Sequence, residues 1–207
     1  YEALDGVINA KSGYANGYGV SPNYRSIIQL KNKFNKNNFA EVVEVTFNNN
    51  FITVEEILMH FFESHDPTQY NRQGNDIGTQ YRSTILYSDD DQKEIAEMLK
   101  KKYQNLLSDY GYGPIKTIIE PLDNFYLAEE YHQDYLKKNP NGYCPDLSTG
   151  IVFNKEEIKP LDNTELTKGK HILVIDSRNY CPYCEKLKSD VTNVYKGSIP
   201  MTDRTSD

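Results

Sequence analysis

In this 207-residue chain the plainest capacity for chemistry lies in three cysteines. Cys181 and Cys184 frame a Cys-Pro-Tyr-Cys motif, and Cys144 stands in Gly142-Tyr143-Cys144-Pro145. Before the pair, His171-Ile172-Leu173-Val174-Ile175-Asp176 reads as a buried strand; after it, Glu185 to Tyr195 reads as a helix. A thiol at such a turn meets the positive end of the helix dipole, which favours thiolate, and a second thiol one turn on can resolve a mixed disulfide. Half of a zinc site is the alternative, but no second cysteine pair is present to complete it. Redox chemistry is the more economical use. Cys144 follows a helix-stop sequence, Asn139-Pro140-Asn141-Gly142, and has polar flanks, as a thiol that must travel to its partner requires. His60 and His65 have no ligand-like partners in sequence, and His132, between Tyr131 and Tyr135, reads as a structural hydrogen-bonder. No metal or organic cofactor is implied.

The second chemical resource is phenol and carboxyl. Seventeen tyrosines stand against eight phenylalanines and no tryptophan, a surplus that suits a polar cleft in which rings pack and hydroxyls donate. Glu41 sits in an alternating stretch, Phe39 to Phe47, and has the alternative of a merely solvent-facing strand position. In a tyrosine-lined cleft its carboxyl would instead be held protonated by desolvation, as a proton donor needs. Tyr24 and Tyr81 could be ordinary packing residues, and Asp76 an Asx-turn residue.

Five blocks give these residues a context. Gly13-Tyr14-Ala15-Asn16-Gly17, Asn23-Tyr24-Arg25, Arg72-Gln73-Gly74-Asn75-Asp76 running through Gly78-Thr79-Gln80-Tyr81-Arg82-Ser83, Glu130-Tyr131-His132-Gln133 and Asn139 to Cys144 occur in that order. Together, over about residues 1–150, they resemble the peptide methionine sulfoxide reductases of the A type, which act on the S-epimer of the sulfoxide. The resemblance implies an oxidoreductase in which a cysteine thiolate attacks the sulfoxide sulfur while the oxygen is protonated, leaving a sulfenic acid. It implies Glu41 as the acid, Tyr24 and Tyr81 as hydrogen-bond donors to the oxygen, Asp76 as a polar group supporting the site, and Cys144 as the recycling thiol. Oxidised proteins or peptides bearing methionine sulfoxide are the implied substrates.

The family's nucleophile lies in a Gly-Cys-Phe-Trp segment that would fall just before Tyr1, so the chain is expected to be an N-terminally truncated, internal piece of a longer polypeptide. Cys181-Pro-Tyr-Cys184 resembles thioredoxin-like and glutaredoxin-like motifs. The layout is similar to multifunctional bacterial fusions, some with a B-type reductase further on, in which such a module feeds electrons to the reductase. A fused or external thioredoxin-like protein is thus the expected reductant, tethering raising its effective concentration. Such fusions suggest the bacterial cell envelope or periplasm, with the cytoplasm as the alternative. A general thiol–disulfide oxidoreductase and a non-catalytic methionine sulfoxide binder are the competing functions.

The positioning elements follow from pattern. The fold class expected is α/β (α+β), a mixed sheet flanked by helices: a ferredoxin-like domain over 1–154, a linker over 155–168 and a partial thioredoxin-like βα unit over 169–207. Strands are expected at 7–10, leading into a Gly/Tyr loop, and at 39–47, 81–87 and 115–120. Thr53-Val54-Glu55-Glu56 is a capping box opening a helix to Ser64, and Ser88 with Asp89, Asp90 and Asp91 opens a long helix to about Leu107. A third helix is expected over 128–138. The net charge of −7 argues against nucleic acid as a partner, and the longest aliphatic run, Ile172 to Ile175, is far too short for a membrane span.

Overall fold

The computed structural model of the protein describes residues 1–140, 142 and 147–153, and the backbone of 171–174. Cys144, Cys181, Cys184 and the 155–168 linker lie outside the described residues. Among the described residues, eight strands and four α-helices run in the order β1 (Val7–Ala15), α1 (Tyr24–Ile27), β2 (Ala40–Phe47), α2 (Val54–Glu63), β3 (Arg72–Gln73), β4 (Asp76–Ile77), β5 (Thr84–Tyr87), α3 (Asp90–Asp109), β6 (Ile118–Pro121), β7 (Phe125–Leu127), α4 (Tyr135–Lys138) and β8 (His171–Val174). Six strands form one mixed sheet in the order β6-β5-β8-β2-β1-β7, and β3 with β4 makes a separate two-stranded ribbon. Among the described strands of this sheet, β5 and β6 pair in parallel and the other neighbours are antiparallel. The architecture is the expected mixed sheet flanked by helices.

Local sequence accounts for the helices. The Thr53 hydroxyl accepts from the Glu56 amide while the Glu56 carboxylate accepts from the Thr53 amide, the reciprocal arrangement that satisfies two orphan donors of α2. The Asp89 carboxylate caps α3 by accepting from the Gln92 amide. Ile57, Leu58, Phe61 and Phe62 of α2 meet Leu99, Tyr103 and Leu107 of α3 in the main core, which also holds Ala40, Val42, Ile85 and Leu86. Phe62, Tyr103 and Phe153 form an aromatic group, and the Tyr103 hydroxyl donates to the Ile151 carbonyl, fastening 149–153 to α3.

The strand expected at 115–120 runs instead over Ile118–Pro121; α1, β3, β4 and β7 were not expected; and three further differences bear on the site. The first strand runs on through Gly13 and Tyr14 to Ala15, because Gly13 lies under the Phe125 ring of β7, where a Cβ would sit about 2.0 Å from a ring carbon. Before β5, residues Thr79–Tyr81 form a 3-10 turn rather than strand. The helix expected over 128–138 is replaced by a 3-10 turn at Glu130–His132 and one helical turn at α4, with Asp134 left-handed at φ 51° between them. The Gln133 side chain explains this break: its amide accepts from the Ser12 N–H and donates to the Ser12 carbonyl, which ties the segment to β1. The strand expected from His171 is described over His171–Val174, and it lies within the six-stranded sheet between β2 and β5.

Candidate functional site

One end of the sheet gathers three of the four site residues from the sequence that are described, Tyr24, Glu41 and Tyr81. Here the last residue of β1 meets the first of β2, Ala15 opposite Ala40, with Tyr14 opposite Glu41. Directly cross-strand residues have Cβ atoms about 5 Å apart and share a face, so the Glu41 carboxyl and the Tyr14 phenol project together. Glu41 is half-buried and Tyr14 is 2% exposed.

Tyr24 reaches the same place from α1. Asn23 caps that single turn in a reciprocal pair with Ser26. The Tyr24 N–H donates to one oxygen of Glu129 at 2.8 Å, and the Tyr14 hydroxyl donates to the other at 2.7 Å. The Tyr24 ring packs on the His132 ring at 4.9 Å, and His132 Nε2 lies 3.9 Å from Glu129. Ile27, Phe39 and Ala128 close an apolar patch around Tyr14, with Tyr24 against it.

The electrostatics follow from this crowding. Burial, the hydrogen bond to Glu129 and the charges of Glu129 and Glu41 together hold the Tyr14 phenol protonated far above the ordinary tyrosine range. Burial pushes the Glu129 carboxyl up, but the hydrogen bonds from Tyr14 and Tyr24 outweigh it and leave the group below the usual carboxylate range. Glu129 is therefore an anion that orders its donors.

Tyr81 closes the 3-10 turn that packs against β2 and leads into β5. Its neighbour Arg82, 7% exposed, stitches this end together: the guanidinium donates to the carbonyls of Asn38, Thr79 and Asn16. Burial weighs against the Arg82 charge and the nearby Glu120 carboxylate offsets part of that. Beside Arg82 opens a cleft of about 280 Å³, lined also by Thr79, Asn71 and the exposed rings of Tyr18, Phe34 and Tyr70. Asp76 stands apart, exposed on β4 opposite Gln73. The structure thus brings Tyr24 and Glu41 into one cluster, sets Tyr81 at the same end of the sheet, and leaves Asp76 on the surface ribbon.

Tyr14 lies within the first quoted block and Glu129 adjoins the block at Glu130, yet the sequence assigns neither a role at the site. Among the described residues no group of three or more His, Cys, Asp or Glu side chains could hold a metal ion, and no helix is long and apolar enough to cross a membrane. Chemically, the arrangement offers a half-buried carboxyl and neighbouring phenols for protonating or hydrogen-bonding a substrate oxygen.

Comparison with known proteins points the same way. The family model for peptide methionine sulfoxide reductase matches residues 1–159. The human mitochondrial peptide methionine sulfoxide reductase is 47% identical over 148 residues, covering 72% of this chain and 61% of the human protein. The peptide methionine sulfoxide reductase MsrA of Vibrio cholerae is 47% identical over 150 residues, 72% of this chain and 68% of its own length. The chain thus spans about three fifths to two thirds of these relatives. Among solved structures, reduced Mxr1 from Saccharomyces cerevisiae is similar with a TM-score of 0.60 and 42% identity, covering 70% of this chain and 78% of that one. Methionine sulfoxide reductase A of Corynebacterium diphtheriae is similar with a TM-score of 0.57 and 36% identity, covering 72% of this chain and 73% of that one.

Proposed function

The chain belongs to the peptide methionine sulfoxide reductase family, and from that premise we propose that the protein reduces the S-epimer of methionine sulfoxide in peptides and proteins. The observation that carries the reading is the half-buried Glu41 carboxyl facing Tyr14 across β1 and β2, with Tyr24 packed alongside. A sulfoxide oxygen needs a proton as it leaves sulfur, and a carboxyl among phenols can supply it while the phenols hold the oxygen. Tyr81, on the turn beside β2, is the second donor to that oxygen, and Asp76 supports its loop.

The reaction balances as an oxygen transfer. A thiol attacks the sulfoxide sulfur, methionine departs with its sulfur reduced, and the oxygen stays on cysteine as sulfenic acid. Cys144 then condenses with the sulfenic acid, releasing water and forming a disulfide. By resemblance to the family the attacking thiol is that of a Gly-Cys-Phe-Trp segment, a sequence these 207 residues do not contain. Cys181 and Cys184 take up the oxidising equivalent by thiol–disulfide exchange. The direction of β8 supports this: its carboxyl end approaches Val43 of β2 and Ile85 of β5, the strands that carry Glu41 and follow Tyr81. Six residues lie between Val174 and Cys181, and the seven Cα–Cα steps span about 25 Å at most. The cleft lined by Tyr18, Phe34 and Tyr70 suits the peptide that flanks the oxidised methionine.

The test is an epimer-resolved assay of the full-length protein on N-acetylmethionine sulfoxide. We expect reduction of the S-epimer alone, and a fall in kcat of roughly 100-fold or more in Glu41→Gln, the scale of a lost general acid. Equal use of both epimers, or full activity in that variant, overturns the assignment. Run without added thiol on the fully reduced protein, the same assay reads the recycling role by stoichiometry: the wild type should release about two methionines per chain, one for each dithiol oxidised, and Cys181→Ser about one.

A further inference from the structure

Glu129 ties several elements of the site together. Its two oxygens take different donors from different elements: Tyr14 on β1, whose phenol lies opposite Glu41, and the amide that begins α1 at Tyr24. The same carboxylate lies 3.9 Å from His132, and the His132 ring carries the Tyr24 ring. Glu129 therefore grips Tyr24 at its backbone directly and at its ring through a neighbour. Its own place is fixed because Gln133, four residues on, donates to the Ala128 carbonyl and exchanges two hydrogen bonds with Ser12.

We propose that Glu129 is a positioning residue of this site: by taking the Tyr14 hydroxyl and the Tyr24 amide on separate oxygens, it locks the Tyr24 phenol and the Glu41 carboxyl into one arrangement around the sulfoxide oxygen. The inference rests on the reductase reading given above. It has a geometric and an electrostatic part. Geometrically, a donor displaced by about 1 Å can cost on the order of 100-fold in rate, so the Tyr24 anchor matters more for turnover than for affinity. Electrostatically, Glu129 places a negative charge one phenol away from Glu41, which favours the protonated form that the reaction consumes. The titratable and charged groups around this relay are Glu129, Glu41 and Tyr131 about Tyr14, His132 about Glu129, and Arg25 with Tyr24 about Tyr131.

Glu129→Gln keeps the shape of the side chain and one carbonyl acceptor but removes the charge. In the full-length protein, with the S-sulfoxide as substrate, we expect kcat to fall about 10-fold or more with KM within threefold. The alkaline limb of the kcat–pH profile should move toward lower pH, since Glu41 ionises more readily without its anionic neighbour. Tyr14→Phe frees one Glu129 oxygen while keeping the Glu129 charge and the Tyr24 amide on it, and should lower kcat by less than Glu129→Gln, with KM within threefold and no move of that limb toward lower pH. It carries the test if circular dichroism finds Glu129→Gln unfolded. An active wild type whose two variants keep their kcat, with the pH profile of Glu129→Gln unmoved, overturns the positioning role alone. A wild type that leaves the S-sulfoxide intact overturns the reductase reading and this inference with it.

Discussion

His65 carries a cost that can be read in stability. The ring is 2% exposed; its Nδ1 lies 2.8 Å from the Phe61 carbonyl and its Nε2 2.7 Å from the Ser83 hydroxyl, which meets Thr117 in turn. A carbonyl can only accept, so Nδ1 carries the proton and Nε2 accepts from Ser83. Burial pulls the His65 pKa down to about 4, against about 6.5 for an unfolded histidine. Its contribution is complete above pH 6.5 and is lost as pH falls toward 4, where the unfolded chain takes up a proton that the native ring refuses. Linkage gives about 2 kcal/mol of lost stability from this ring between pH 7.5 and pH 5. Urea unfolding at the two pH values measures it: the wild type should lose about 2 kcal/mol more than His65→Gln, and equal losses would refute the assignment. At this scale the sequence made Glu41, Tyr24 and Tyr81 visible by type and by block. Tyr14 and Glu129 stayed hidden because their bond joins positions 115 residues apart, and no local pattern announces such a pair.

Among the elements, those governed by neighbours in sequence were legible and those governed by distant partners were not. The caps of α2 and α3 were readable because both partners of each cap lie within three residues. The break between Gln133 and Asp134 was not, because the competing interaction is with Ser12 on another strand. The extension of β1 through Gly13 depends likewise on Phe125 arriving from β7. β8 was legible as a strand from its apolar run, but its lane was not. That lane has a measurable consequence, since β2 and β5 both hydrogen-bond to it. Ending the chain after Phe153 should lower Tm by about 5 °C or more, at roughly 2–4 °C per kcal/mol for a chain of this size. It should also speed amide exchange in Ile85 and Leu86. A truncated chain with unchanged Tm and exchange would mean that β8 adds nothing to the sheet.

Across the whole molecule, the acid, the phenols and the Arg82 stitch all lie at one end of the sheet, while the helical core of α2 and α3 supports it from the face. The lane of β8 also bears on how the molecule is made. Synthesis from the N-terminus delivers β2 and β5 long before their shared neighbour, so each emerges with a row of unsatisfied backbone donors and acceptors. Such a nascent chain is open to pairing with another copy until its middle strand leaves the ribosome, and insertion is slowed by the long loop that must close. Slow elongation or an idle chaperone would therefore cost this protein more in yield than its finished stability suggests.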